Sequence, residues 1–185
     1  MNIKQFAIGI STVVYFIGAA TFLPGVSQAQ LDANLPNVSD VQDAKVKTSM
    51  DLLESMANKL GPPKIEGTDV VAGNQVPAIY FGSTKVNNNF DLVDDVVRQA
   101  LGTATIFVKS GDQYVRVATN VKKDDGSRAV GTILDPKGKA IDSIKKNETF
   151  YGEVDILGKP YITGYKPIRD SSQNVIGIYY VGYLK

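Results

Sequence analysis

From Thr103 onward the chain is cut by tight turns into short β-branched and aromatic runs. They are Thr103–Lys109, Gln113–Val121, Arg128–Thr132, Thr149–Ile156, Tyr161–Ile168 and Val175–Tyr183. The turns Ser110-Gly111-Asp112, Lys123-Asp124-Asp125-Gly126, Leu157-Gly158-Lys159-Pro160 and Arg169–Asn174 are of hairpin length. Strands this close in sequence imply an antiparallel meander. Within it, Gln113–Val121 alternates: Val115, Val117 and Val121 share one face, and Tyr114, Arg116, Ala118 and Asn120 the other. A sheet buried on one side needs only the valine face, so an arginine and a tyrosine at the centre of the opposite face require an explanation. Two of the chain's four arginines, Arg116 and Arg128, fall within thirteen residues here, both on predicted strands.

Upstream, Ser39 starts a helix with Gln42 as its capping-box partner, and Gly61-Pro62-Pro63 ends it. Val46, Met50, Leu53, Met56 and Leu60 form its apolar stripe. Residues 64–74 read as a loop. Val76–Phe81 reads as a strand that Pro77 demotes to an edge or a bulge. Gly82–Asn89 is a polar turn region, Asp91–Leu101 a second helix stopped by Gly102, and Ala140–Lys146 a short third helix. A long helix beside an antiparallel sheet is an α+β arrangement in which the helix covers one face.

The 185 residues include neither cysteine nor histidine. Disulfides, thiolate metal sites, cysteine nucleophiles and imidazole bases are therefore excluded. Neither Asp94-Asp95 nor Asp124-Asp125 is placed as a catalytic pair, because helix neighbours diverge and Asp-Asp-Gly is turn chemistry. An enzyme is not expected, and no cofactor is implied. Formal charge is +1, and acids and bases are interspersed, so no field exists to attract nucleic acid. Phe6–Leu23 is an apolar run broken by Pro24-Gly25, and Ser27-Gln28-Ala29 presents small residues for cleavage after Ala29. Residues 1–29 thus read as a secretory signal peptide, the alternative being a retained anchor formed by residues 6–23. Residues 30–37 are a polar lead, and 38–185 form one domain in the periplasm or outside the cell. No second span or signalling domain follows, so the domain is expected to stand alone.

Three segments carry a resemblance. VRVATNV with its Lys-Asp-Asp-Gly turn and RAVGT, then ETFYGEVDILGKPYITGYKPI, then NVIGIYYVGY, resemble in order and spacing the Cache 3/Cache 2 fusion type of single extracellular Cache domain. The similarity spans roughly Val70–Gly182. It implies a PAS-like central antiparallel sheet with a long N-terminal helix on one face and a small-ligand pocket on the other. It also implies a sensory role like that of the sensing parts of chemoreceptors and sensor kinases, which often bind small organic acids.

Parity and resemblance together place Arg116 on the pocket side, with Arg128, Tyr161 and Tyr165 converging under the loops Tyr80–Asn89 and Leu134–Lys146. Tyr80, Tyr151 and Lys159 complete the candidate ligand-binding set. A guanidinium can hold a carboxylate through two parallel hydrogen bonds and stays charged at any working pH. Tyrosines add hydroxyl donors and apolar walls. The competing role for Arg116 is a cross-strand ion pair with Glu153 or Asp155. The expected function is capture of a small carboxylate-bearing metabolite for extracytoplasmic sensing. The alternative is an interaction module whose pocket is filled by its own side chains. Candidate partners are the small-molecule ligand, a membrane receptor, and a second copy through the long helix.

Overall fold

The computed structural model describes residues 38–185, and their side chains from residue 40 onward. The expected signal peptide and polar lead lie outside the described residues, as does the side chain of Ser39, the expected cap. One compact unit, Pro36–Lys185, contains all of the described chain.

Helix α1 spans Val38–Leu60. Its buried stripe is Val46, Ser49, Met50, Leu53 and Ala57, the spacing of a single helical face. Met56 is only half-buried and Leu60 is exposed, so the last turn swings its apolar edge off the predicted line. The stripe packs with Ile162, Tyr179 and Val181 in one cluster. Polar contacts fix the docking. Lys166 donates to Glu54 at 2.6 Å, and the Tyr183 hydroxyl meets Ser49 Oγ and donates to the Ala100 carbonyl, both at 2.7 Å.

Strands β1 (Pro63–Val71), β2 (Asn74–Phe81) and β3 (Thr84–Lys85) form a small antiparallel sheet. β1 replaces the predicted loop. It is bulged between Ile65 and Thr68, and Val71 is its one buried residue, so it carries no alternation to read. Phe81 of β2 stacks on Tyr179 at 5.9 Å, which joins this sheet to the α1-side core.

Pro77 lies on the middle strand, yet β3 pairs only with Tyr80 and Phe81. Beside Pro77 the missing strand is replaced by one side chain. Asn87, 2% exposed, accepts the Ile79 N–H at 2.8 Å and donates to the Pro77 carbonyl at 3.1 Å. Asn87→Ala would strand a buried N–H and carbonyl, each costing about 1–3 kcal/mol. We expect a fall in stability on the order of 2–3 kcal/mol by urea unfolding, with the m-value unchanged.

Helix α2 spans Asp91–Ala100 and buries Leu92, Val93 and Val96. It ends one residue short of the predicted Leu101. Leu101 is itself left-handed (φ 62°), with its N–H bonded to the Val97 carbonyl.

The main sheet contains β4 (Thr103–Ser110), β5 (Gln113–Thr119), β6 (Phe150–Ile156), β7 (Lys159–Arg169) and β8 (Val175–Leu184). Its order is β5-β4-β8-β7-β6, antiparallel throughout. The meander holds for β6-β7-β8, but the last strand then inserts beside β4 at the centre. Helix α3, Lys139–Lys145, covers part of the face opposite α1 through Ala140, Ile141 and Ile144.

Two local expectations fail. Arg128–Thr132 is not a strand, because Gly131 (φ 81°) breaks the extended run. The segment instead follows β5 irregularly: the Arg116 N–H donates to the Thr132 carbonyl and the Gly131 N–H to the Arg116 carbonyl, both at 2.9 Å. β5 itself is bulged at Val117, since Ile106 pairs with Ala118 and Phe107 with Arg116. Val115 and Val117 join the α1-side core as expected. Beyond the bulge the faces exchange, so Ala118 joins that core and Val121 the opposite cluster.

Candidate functional site

The face turned away from α1 carries Phe107, Tyr165, Ile178 and Tyr180. On β7, Tyr165 belongs to this cluster and Ile162 to the α1 side, as period-two alternation requires. Arg116 precedes the bulge and therefore sits on the same face as Tyr165. Its guanidinium lies 5.1 Å from the centroid of the Phe107 ring. Here a cavity of about 880 Å³ opens, with Arg116 and Tyr165 among its walls. One side is the Ile133–Asp135 segment and the start of α3 (Gly138, Lys139 and Ala140). The other is the β6–β7 hairpin, Glu153–Leu157 with Pro160. The volume falls in the range of small-molecule sites, roughly 300–1,000 Å³.

Arg116 is 5% exposed. One of its terminal nitrogens donates to Thr132 Oγ1 at 2.7 Å, and Thr132 in turn donates to the Ala129 carbonyl at 2.8 Å. Its Nε is buried without a hydrogen-bond partner. Among the described residues no carboxylate pairs with it. Glu153 bonds Lys185 at 2.8 Å, and Asp155 accepts the Gly158 N–H. Burial pushes the Arg116 guanidinium below its ordinary value, opposed by the neighbouring Tyr165 and Tyr180. Burial likewise raises both phenols, with Arg116 pulling weakly against it. They remain neutral hydroxyls. Tyr180 is satisfied by Thr103 at 3.0 Å, whereas the Tyr165 hydroxyl has no partner among the described residues and is available on the cavity wall. A buried cation bonded to a single hydroxyl and to no carboxylate, beside a free phenol, is chemically arranged to receive an anion.

Of the seven residues nominated from sequence, the structure brings Arg116 and Tyr165 together. Arg128 is a correction. It makes a bidentate pair with Asp94, both bonds 2.7 Å, donates to the Thr119 carbonyl and lies over the Phe90 ring at 4.4 Å. It staples α2 to the segment after β5 and does not reach the cavity. Tyr161 packs half-buried at the edge of the same cluster without lining the cavity. Tyr151 is on the α1 side, exposed, with Lys47 near its ring. Lys159 is exposed at the start of β7 and does not line the cavity either. Tyr80 lies in the small sheet under Lys64, and the Tyr80–Asn89 loop is likewise remote from the cavity; Leu134–Lys146 does supply a wall.

Sequence reasoning missed Ile133, Lys139 and Leu157 on the cavity wall. One signal was available. Leu157-Gly158 occupies a two-residue hairpin turn with φ of 54° and 79°, where asparagine or aspartate normally precedes the glycine. Among the described residues no group of three acidic side chains is placed to hold a metal ion, and no helix is long and apolar enough to cross a membrane.

The sequence model of the Cache 3/Cache 2 fusion domain matches residues 26–185. Comparison with curated protein sequences finds no match. A five-stranded antiparallel PAS-like sheet, a long helix on one face and an open cavity on the other agree with that match. The chain belongs to the Cache 3/Cache 2 fusion domain family, a family of extracellular sensory modules that bind small ligands.

Proposed function

We propose that this domain captures a small carboxylate-bearing metabolite outside the cytoplasm, with Arg116 as the anchor for the carboxylate and Tyr165 as a second donor. The carrying observation is the charge balance of Arg116: 5% exposed, bonded only to Thr132, with a buried unpartnered Nε and no acidic partner among the described residues. Leaving a buried charge unpaired costs several kcal/mol, and a bound anion removes that cost. The open volume of about 880 Å³ favours capture over a self-filled pocket. In this reading residues 1–29 are an export leader removed after Ala29. The bound state is passed to a membrane receptor or to a second copy docked through α1, and the domain performs no catalysis.

The test is a thermal-shift and calorimetric titration of the purified protein with propanoate and related short-chain carboxylates. We expect saturable binding. Arg116→Ala should weaken it at least about thirtyfold, the equivalent of about 2 kcal/mol for truncating one partner of a buried charge pair. Arg116→Lys should recover only part of the loss, because an ammonium cannot reproduce the planar fork. Unchanged affinity in both variants would rule out the anchor.

A further inference from the structure

The cavity is polar at its floor and apolar at its lips. Ile133 and Leu157 both line it, on opposing walls, and are 43% and 44% exposed. Leu157 holds its place at φ 54°, a conformation unfavourable for leucine and natural for asparagine. Leu134 and Ile156, both nearly buried, continue the apolar surface inward. The charged groups at the walls are Asp135, Glu153, Asp155 and Lys139. Lys185 neutralises Glu153, and Asp135 and Asp155 still outnumber Lys139. A second carboxylate on the ligand therefore meets a net negative mouth. A terminal ammonium is attracted by the same carboxylates, but exposed pairs contribute little, less than the cost of stripping water from an ammonium held against Ile133 and Leu157.

Building on the carboxylate reading of Arg116, we infer that the ligand is a monocarboxylate with an extended apolar body. Its head sits on Arg116 and its tail is covered by Ile133 and Leu157. Each methylene taken out of water by these lips should tighten binding about fourfold. The same field disfavours dicarboxylates of equal length.

Titration of the full-length protein with propanoate, hexanoate, glutarate and 6-aminohexanoate tests this. Hexanoate should bind at least about tenfold more tightly than the other three. Ile133→Ser and Leu157→Asn change exposed positions, and asparagine suits the left-handed turn, so both variants should fold. Each should reduce the hexanoate advantage over propanoate several-fold. If glutarate or 6-aminohexanoate equals hexanoate, and Arg116→Ala still abolishes binding, the apolar-tail inference is overturned and the carboxylate anchor stands. If none of the four binds, both are overturned.

Discussion

Replacing Arg116 with methionine should raise the melting temperature of the ligand-free protein and at the same time abolish its response to carboxylates. The guanidinium is buried against Phe107 and Tyr165 with an unpartnered Nε. Its one side-chain bond, to Thr132, does not offset the loss of hydration of a full charge. Methionine fills similar space, needs no counter-charge and packs well against aromatic rings. Exchanging buried charge for apolar side chains is neutral or stabilising by about 1–4 kcal/mol. For a chain of this size each kcal/mol moves the midpoint by about 2–4 °C. Scanning calorimetry with and without propanoate measures both effects. A lower midpoint for Arg116→Met would mean that the guanidinium is a stabilising part of the core, as the self-filled alternative holds.

Gly177→Ala should unfold the protein or cost more than about 3 kcal/mol. Gly177 lies on β8, between β4 and β7, where an added methyl group would sit 2.4 Å from the Phe107 carbonyl oxygen and 3.1 Å from Ile79. The carbonyl is backbone of the neighbouring strand, so relief requires the two central strands to part. Gly67→Ala is the control. Its methyl group would meet open space, and the cost arises only from φ 69°, on the order of 1 kcal/mol. Equal midpoints for the two variants in urea would show that the centre of the sheet tolerates separation and that the close approach at Gly177 carries no weight.

What the sequence makes legible depends on locality. α1, α2, α3 and the strands from β4 to β8 follow from periodicity and turn chemistry, which act over a few residues. The side taken by Arg116 was legible because three alternating positions precede the bulge. Past Val117 the same rule misplaced Ala118 and Val121, since the bulge is set by pairing with β4 and leaves no local mark. β1 was invisible because nearly all of it faces water.

The fate of the two arginines separates the two kinds of knowledge. Nothing in VRVATNVKKDDGSRAV distinguishes them as cations on predicted strands. Arg128 lies where α2 presents Asp94, and is fully engaged. Arg116 lies where the fold presents only Thr132 and aromatic rings, and is not. The amino-acid order determined that this chain makes a helix-backed antiparallel sheet with a cation on its far face. Tertiary structure decided that β8 lies at the centre, that α3 and the β6–β7 turn wall off a cavity, and which of these two arginines has no acidic partner among the described residues. Those outcomes rest on contacts between residues far apart in the chain, whose energies no local pattern records.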